Sequence, residues 1–175
     1  SGTPDCVDVS GKWAVNFDGA GEFYNDAAAD WDSLTQPFTW CAAWSHDAAT
    51  NTDFEYIFDA NLTTDARSLF VRAESDHGTN PNDAASYSGT FLYGADVGST
   101  GENWACGIQD GASSKITVNG TEDTGDASTA GLASLTIGAR ASTRVFELDG
   151  HVGRLIFWDT DEYVAAKRCA PSCIW

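Results

Sequence analysis

Between Trp104 and Trp158, apolar and polar residues alternate in short runs separated by turn dipeptides, a period of two that no helix satisfies. Trp104, Cys106 and Ile108 alternate before Asp110-Gly111 interrupts. Lys115-Ile116-Thr117-Val118 alternates again and ends in Asn119-Gly120, which turns cheaply because both residues tolerate positive φ. Ala133 to Gly138 keeps the same period, and Asp149-Gly150 introduces Val152 to Trp158, which is apolar on both faces. The pattern predicts antiparallel strands in succession, the last of them a central strand buried between two sheets.

The preceding chain repeats the theme. Trp13, Val15 and Phe17 share one face of a first strand, and Asp18-Gly19-Ala20-Gly21 turns it into Glu22-Phe23-Tyr24. Residues 25–33 read as a loop on the sandwich with Trp31 as its one large anchor. From Gln36 to Ser45, Phe38, Trp40, Ala42 and Trp44 point inward, with Thr39, Cys41 and Ala43 opposite. Asp53 to Asp59 and Arg67 to Glu74 are further strands, the former setting Phe54, Tyr56 and Phe58 against Glu55 and Ile57. Asp76 to Ser86 has no large apolar residue and reads as a long exposed loop, the kind of segment that carries binding residues on a rigid scaffold. Tyr87 to Tyr93 returns to strand, Gly94 to Asn103 and Glu122 to Gly131 read as loops, and Asp161 to Arg168 is helix-compatible. The expectation is an all-β sandwich forming a single domain over residues 1–175, a length that builds a two-sheet core unaided.

Three later stretches in order, "DGASSKITVNGTE", "LASLTIGAR" and "FELDGHVGRLIFWDTDE", resemble the C-terminal half of the concanavalin A-like lectin/glucanase superfamily, in particular its laminin-G-like (LamG) domains. Upstream, "WAVNFDGAGEFY" is similar to the opening strand pair of that family and "QPFTWCAAW" to its Phe-Thr-x-x-x-Trp strand. The resemblance covers residues 11–168 and implies a two-sheet antiparallel jelly-roll sandwich. It says less about activity, because the fold hosts lectins, adhesion modules, virion proteins and glycosidases. Jelly-roll termini commonly run side by side, which implies a disulfide from Cys6 to Cys169 or Cys173. LamG-like domains hold calcium at the rim by loop oxygens, which Asp76, Asn80, Asn82, Asp83 and Asp96 supply here.

A net charge of -17 argues against nucleic acid or an anionic membrane as partner. No apolar run approaches the ~20 residues that span a bilayer, so no membrane insertion is expected. The absence of Met implies that Ser1 arises by processing. Five cysteines leave at least one unpaired within the chain, and Cys41 and Cys106, inside strand patterns, read as small buried hydrophobes. Retaining glycoside hydrolysis needs two carboxylates about 5 to 5.5 Å apart. Glu147-Leu148-Asp149 is the nearest candidate, but His151 follows where an acid belongs and Gly150 marks Asp149 as a turn residue. Asp53 with Glu55 lacks a third acid. His46, His77 and His151 are scattered outside any catalytic motif, so the chain is not expected to be an enzyme.

Binding is the sharper expectation. Sugars stack an apolar face on exposed rings while Asp and Asn groups take their hydroxyls, and seven Trp and five Tyr exceed what this core requires. Tyr24, Trp31, Tyr87 and Tyr93 lie nearest polar loops, with His77, Asn80 and Asn82 in the long loop as polar candidates. The sequence therefore points to a recognition module for a glycan or protein surface, extracellular or on a virion surface. The alternative is a structural or decoration protein contacting other virion subunits.

Overall fold

The computed structural model describes residues 3–9, 11–26, 34–47, 55–60, 68–71, 83–97, 101–130, 132, 134–141, 143 and 146–173. The strands are β1 (Asp5–Val9), β2 (Lys12–Asp18), β3 (Tyr24–Asp26), β4 (Phe38–His46), β5 (Glu55–Asp59), β6 (Ser68–Val71), β7 (Asp83–Tyr87), β8 (Phe91–Asp96), β9 (Gly101–Gln109), β10 (Ser114–Val118), β11 (Thr121–Gly125), β12 (Leu135–Ile137) and β13 (Asp149–Trp158). One helix, α1 (Tyr163–Cys173), follows. The strands form a larger sheet of order β1-β2-β13-β4-β9-β10-β11 and a smaller one of order β3-β12-β5-β6-β7-β8. All pairings are antiparallel, and the two sheets stack as a jelly-roll sandwich.

The main core lies between the sheets. Phe38, Trp40, Ala42 and Trp44 enter it from β4, as their alternation predicts, and meet Ile57 and Phe58 of β5, Ala84 of β7 and Leu92 of β8. Trp40 finds room only because Gly107 of β9 lies beneath it: a Cβ there would sit 2.4 Å from the indole. On the opposite face of the larger sheet, Cys41, Ala43, Cys106 and Ile108 form a second cluster with Tyr163 and Ala166 of α1. The helix thus covers a face that would otherwise be wet. Tyr163 fastens it, accepting a hydrogen bond from Thr117 and donating one to Glu122 Oε2 at 3.1 Å.

Several expectations change. Cys41 and Cys106 stand directly opposite each other on β4 and β9 and form a disulfide. They are buried, but as a covalent bond between strands and not as separate hydrophobes. Cys6 is free and exposed on β1, so the bond from Cys6 to Cys169 or Cys173 is not formed. Residues 83–86, read as loop, are buried strand in β7, because Ala84 and Ala85 are small enough to pack on both faces of the sheet. β8 runs to Asp96, and β9 already begins at Gly101, so the loop between them is shorter than expected. β11 is strand despite its polarity, since backbone pairing with β10 holds an edge that needs no buried face. Asn25 and Asp26 extend β3, and α1 runs on through the cysteine tail to Cys173.

β12 lies in the smaller sheet and not beside β10 and β13. β13 does occupy an interior position, between β2 and β4, yet Arg154 is exposed and Leu155 to Trp158 are half-buried. Asp149 is the first residue of that strand, paired with Asp18, and not a turn residue. In β5 a bulge between Tyr56 and Phe58 sends Ile57 and Phe58 both inward, so Tyr56 and Phe58 do not share a face. The Asn119-Gly120 turn between β10 and β11 has φ of 48° and 95°, the left-handed pair its composition predicts.

Candidate aromatic binding face

The outer face of the smaller sheet carries the candidate site. Alternation places Leu92 in the core and Phe91 and Tyr93 outside, while Ala84 faces inward and Ala85 and Tyr87 outward. Tyr56, the outward residue of β5, joins them because of the bulge beside it. The β5-β6-β7-β8 order aligns Tyr56, Phe70, Ala85 and Tyr93 at one register position across four strands.

The described rings form two groups, a strip at the β7-β8 end and a pair on the buried Tyr56 of β5. Tyr87 and Phe91, opposite each other across the β7-β8 hairpin, have centroids 4.6 Å apart. Phe91 and Tyr93 stack at 5.6 Å with planes 19° apart. At the other end Phe146 stacks on Tyr56 at 6.1 Å and 21°, and the Arg140 guanidinium carbon lies 5.6 Å from the Phe146 centroid. Phe91 keeps 41% of its surface exposed, whereas Tyr87, Tyr93 and Phe146 are half-buried. An apolar ring left this open on a strand is a ready stacking partner for the CH face of a sugar.

A buried polar chain closes the sandwich beside Tyr56. The Trp44 indole N–H donates to His46 Nε2 at 2.8 Å, so the ring proton resides on Nδ1, which contacts Glu55 Oε2. Glu55 Oε1 accepts the Asp149 backbone N–H at 3.2 Å. This joins β4 and β13 of the larger sheet to β5 of the smaller one. Both ring nitrogens of His46 are therefore engaged. Near it, burial pushes the Asp149 carboxyl above its usual value, with Asp47, Glu55 and Asp18 adding like charge and His46 opposing them.

Of the residues singled out from the sequence, Tyr87 and Tyr93 come together in the strip. Tyr24 does not: on β3, at the far edge of the same sheet from β8, it makes an edge contact with Phe17 and donates to the Pro4 carbonyl at 3.3 Å. Trp31, His77, Asn80 and Asn82 lie outside the described residues. So does Asp76 of the calcium set, while Asp83 is buried in β7. No group of three or more His, Cys, Asp or Glu that could hold a metal ion occurs among the described residues. Sequence reasoning does not single out Tyr56, Phe91, Phe146 or Arg140. Phe91, two residues before Tyr93 on a strand, is the one signal that points towards them.

Known structures share this architecture. Domain 4 of AbnA, a GH43 extracellular arabinanase from Geobacillus stearothermophilus solved with arabinotriose, is similar over 90% of this chain and 75% of its own, with 14% identity and a TM-score of 0.61. The CBM40 of the Ruminococcus gnavus IT-sialidase, bound to α2,3-sialyllactose, is similar over 87% of this chain and 95% of its own, with 12% identity and a TM-score of 0.60. Trypanosoma rangeli sialidase in complex with sialic acid matches 93% of this chain with 28% of its own, at 12% identity and a TM-score of 0.65. At such identities the likeness is one of fold. No family model and no curated protein matches the sequence.

Proposed function

We propose that this protein is a non-catalytic carbohydrate-binding module that receives glycans on the outer face of its smaller sheet. The strip Tyr87–Phe91–Tyr93, with Phe91 41% exposed, carries the reading. Two of the similar folds were solved with arabinotriose and sialyllactose, which supports it further. The finer assignment is a concanavalin A-like jelly roll of the LamG type displayed outside a cell or on a virus surface. The Cys41–Cys106 bond supports display, since disulfides persist in oxidising compartments. A non-catalytic role accords with the engagement of His46 and Glu55 in the interior chain.

The test is a glycan array with the purified chain beside Phe91→Ala. Wild type binds a defined glycan set, and the variant loses roughly tenfold or more in affinity at an unchanged melting temperature, the loss of one ring contact. Equal binding by both proteins would remove the strip from the site.

A further inference from the structure

The Cys41–Cys106 bond lies beneath α1. Both cysteines are fully buried, and on the face of the larger sheet away from the main core they pack with Ala43 and Ile108 against Tyr163 and Ala166 of the helix. The sheet closes the bond from below and the helix from above. A thiolate must reach a sulfur to exchange with it, and it has no approach while α1 is docked. The cover is slight. Among the described side chains of α1 only Tyr163 and Ala166 are buried, whereas Val164, Ala165 and Arg168 are exposed. The other ties are polar: Tyr163 bonds with Thr117 and Glu122, and Lys167 pairs with Glu122. Just before the helix, the Thr39 hydroxyl donates to the Thr160 carbonyl at 3.0 Å and accepts the Glu162 N–H at 3.0 Å. The strands beneath are held by backbone ladders running from β13 through β4 and β9 to β10. A segment with so few apolar contacts opens at lower free energy than the core that carries it.

We propose that α1 is a redox gate: its undocking admits a dithiol reductant to the Cys41–Cys106 bond, and loss of the bond in turn loosens α1. In the open form a thiolate of the reductant attacks Sγ of one cysteine, forms a mixed disulfide and releases the other cysteine as a thiolate, which takes up a proton. The reductant's second thiol gives up its proton, closes the reductant's own disulfide and frees the first cysteine as a thiolate, which is protonated in turn. Two electrons pass from reductant to protein, and one S–S bond is exchanged for another. The coupling runs both ways. Two thiols cannot stay at bonding distance, so the separated sulfurs crowd Tyr163 and Ala166 in a close-packed cluster. By linkage, whatever favours the undocked helix favours reduction to the same extent. An oxidising medium therefore holds α1 down, and a reducing one releases it and uncovers Ala43 and Ile108 beside Trp104 and Trp158.

The test is the rate at which excess dithiothreitol reduces the bond in the intact chain, read by mass spectrometry of alkylated peptides carrying Cys41 and Cys106. The exposed Cys6 thiol then does not contribute to the signal. Wild type is compared with Tyr163→Phe and Lys167→Ala over low urea concentrations, with global unfolding followed in parallel. The wild-type rate is expected to be nearly independent of urea well below the unfolding midpoint, because lifting one helix exposes little surface. Tyr163→Phe should speed reduction roughly tenfold, the loss of a buried hydrogen bond. Lys167→Ala, a surface change that leaves the core intact, should speed it by about two- to fivefold. A wild-type rate that climbs with the full urea dependence of global unfolding would overturn the gate, as would a Lys167→Ala protein that is reduced no faster than wild type. Hydrogen exchange on the reduced protein reads the reverse coupling, with protection expected to fall along α1 and to persist in β4 and β9. Protection kept in α1, or lost equally in every strand, would overturn that coupling.

Discussion

Asp149 shows how one carboxyl can be a liability that the fold tolerates. Its proton is held more tightly in the folded chain than in the unfolded one, where the ordinary value is 3.8, because burial and the charges of Asp47, Glu55 and Asp18 all penalise its anion. A raised folded value contributes stability that is complete below the unfolded value and lost as pH rises through the folded one. Asp149→Asn is therefore expected to stabilise the protein at neutral pH, and urea midpoints should show the gain shrinking as pH falls towards the ordinary carboxylate range. The next residue is constrained differently. A Cβ on Gly150 would lie 2.0 Å from the Ser45 carbonyl oxygen, because β13 passes tightly over the end of β4. Gly150→Ala should cost about 3 kcal/mol or more in urea unfolding, since backbone cannot step aside as a side chain can.

At the level of elements, α1 depends on few fastenings. Glu122 on β11 accepts from Tyr163 and pairs with Lys167, whose hydrogen bond draws the Glu122 carboxyl below its usual value. Burial, the largest influence on the Tyr163 hydroxyl, drives its ionisation upward and keeps it a neutral donor. Tyr163→Phe removes that hydroxyl and strands Thr117, which is buried. The expected loss is about 1 to 3 kcal/mol, measured by denaturant unfolding, with faster exchange along the helix. The alternation that marks β4, β9 and β10 is legible in the order of their residues. That of β7 is not, because Asp83-Ala84-Ala85-Ser86 lacks the large residues that make alternation visible.

For the whole molecule, the Cys41–Cys106 bond closes a loop of 65 residues in sequence between neighbouring strands of the larger sheet. In the chain-entropy picture a loop of that size stabilises the fold by about 4 kcal/mol. Replacing both cysteines by alanine should lower the urea-derived stability by roughly that amount. The aromatic strip would remain intact, since it lies on the other sheet. A double variant as stable as wild type would show that the unfolded chain gains nothing from release.

The sequence by itself determined the all-β class, the inward face of β4 and the Asn119-Gly120 turn, since each depends on a period or a backbone preference readable within a few residues. It also marked Tyr87 and Tyr93 as ring candidates. Only the tertiary structure decided which strands became neighbours, and with them the cysteine pairing and the site. Cys41 meets Cys106 because β4 lies beside β9, and Tyr56 reaches the outer face because a bulge turns Ile57 and Phe58 together into the core. Arg140 and Phe146 arrive from the distant connection between β12 and β13. Alternation assigns each residue to a face, but contacts between strands far apart in sequence form only when the sheets assemble around a shared core.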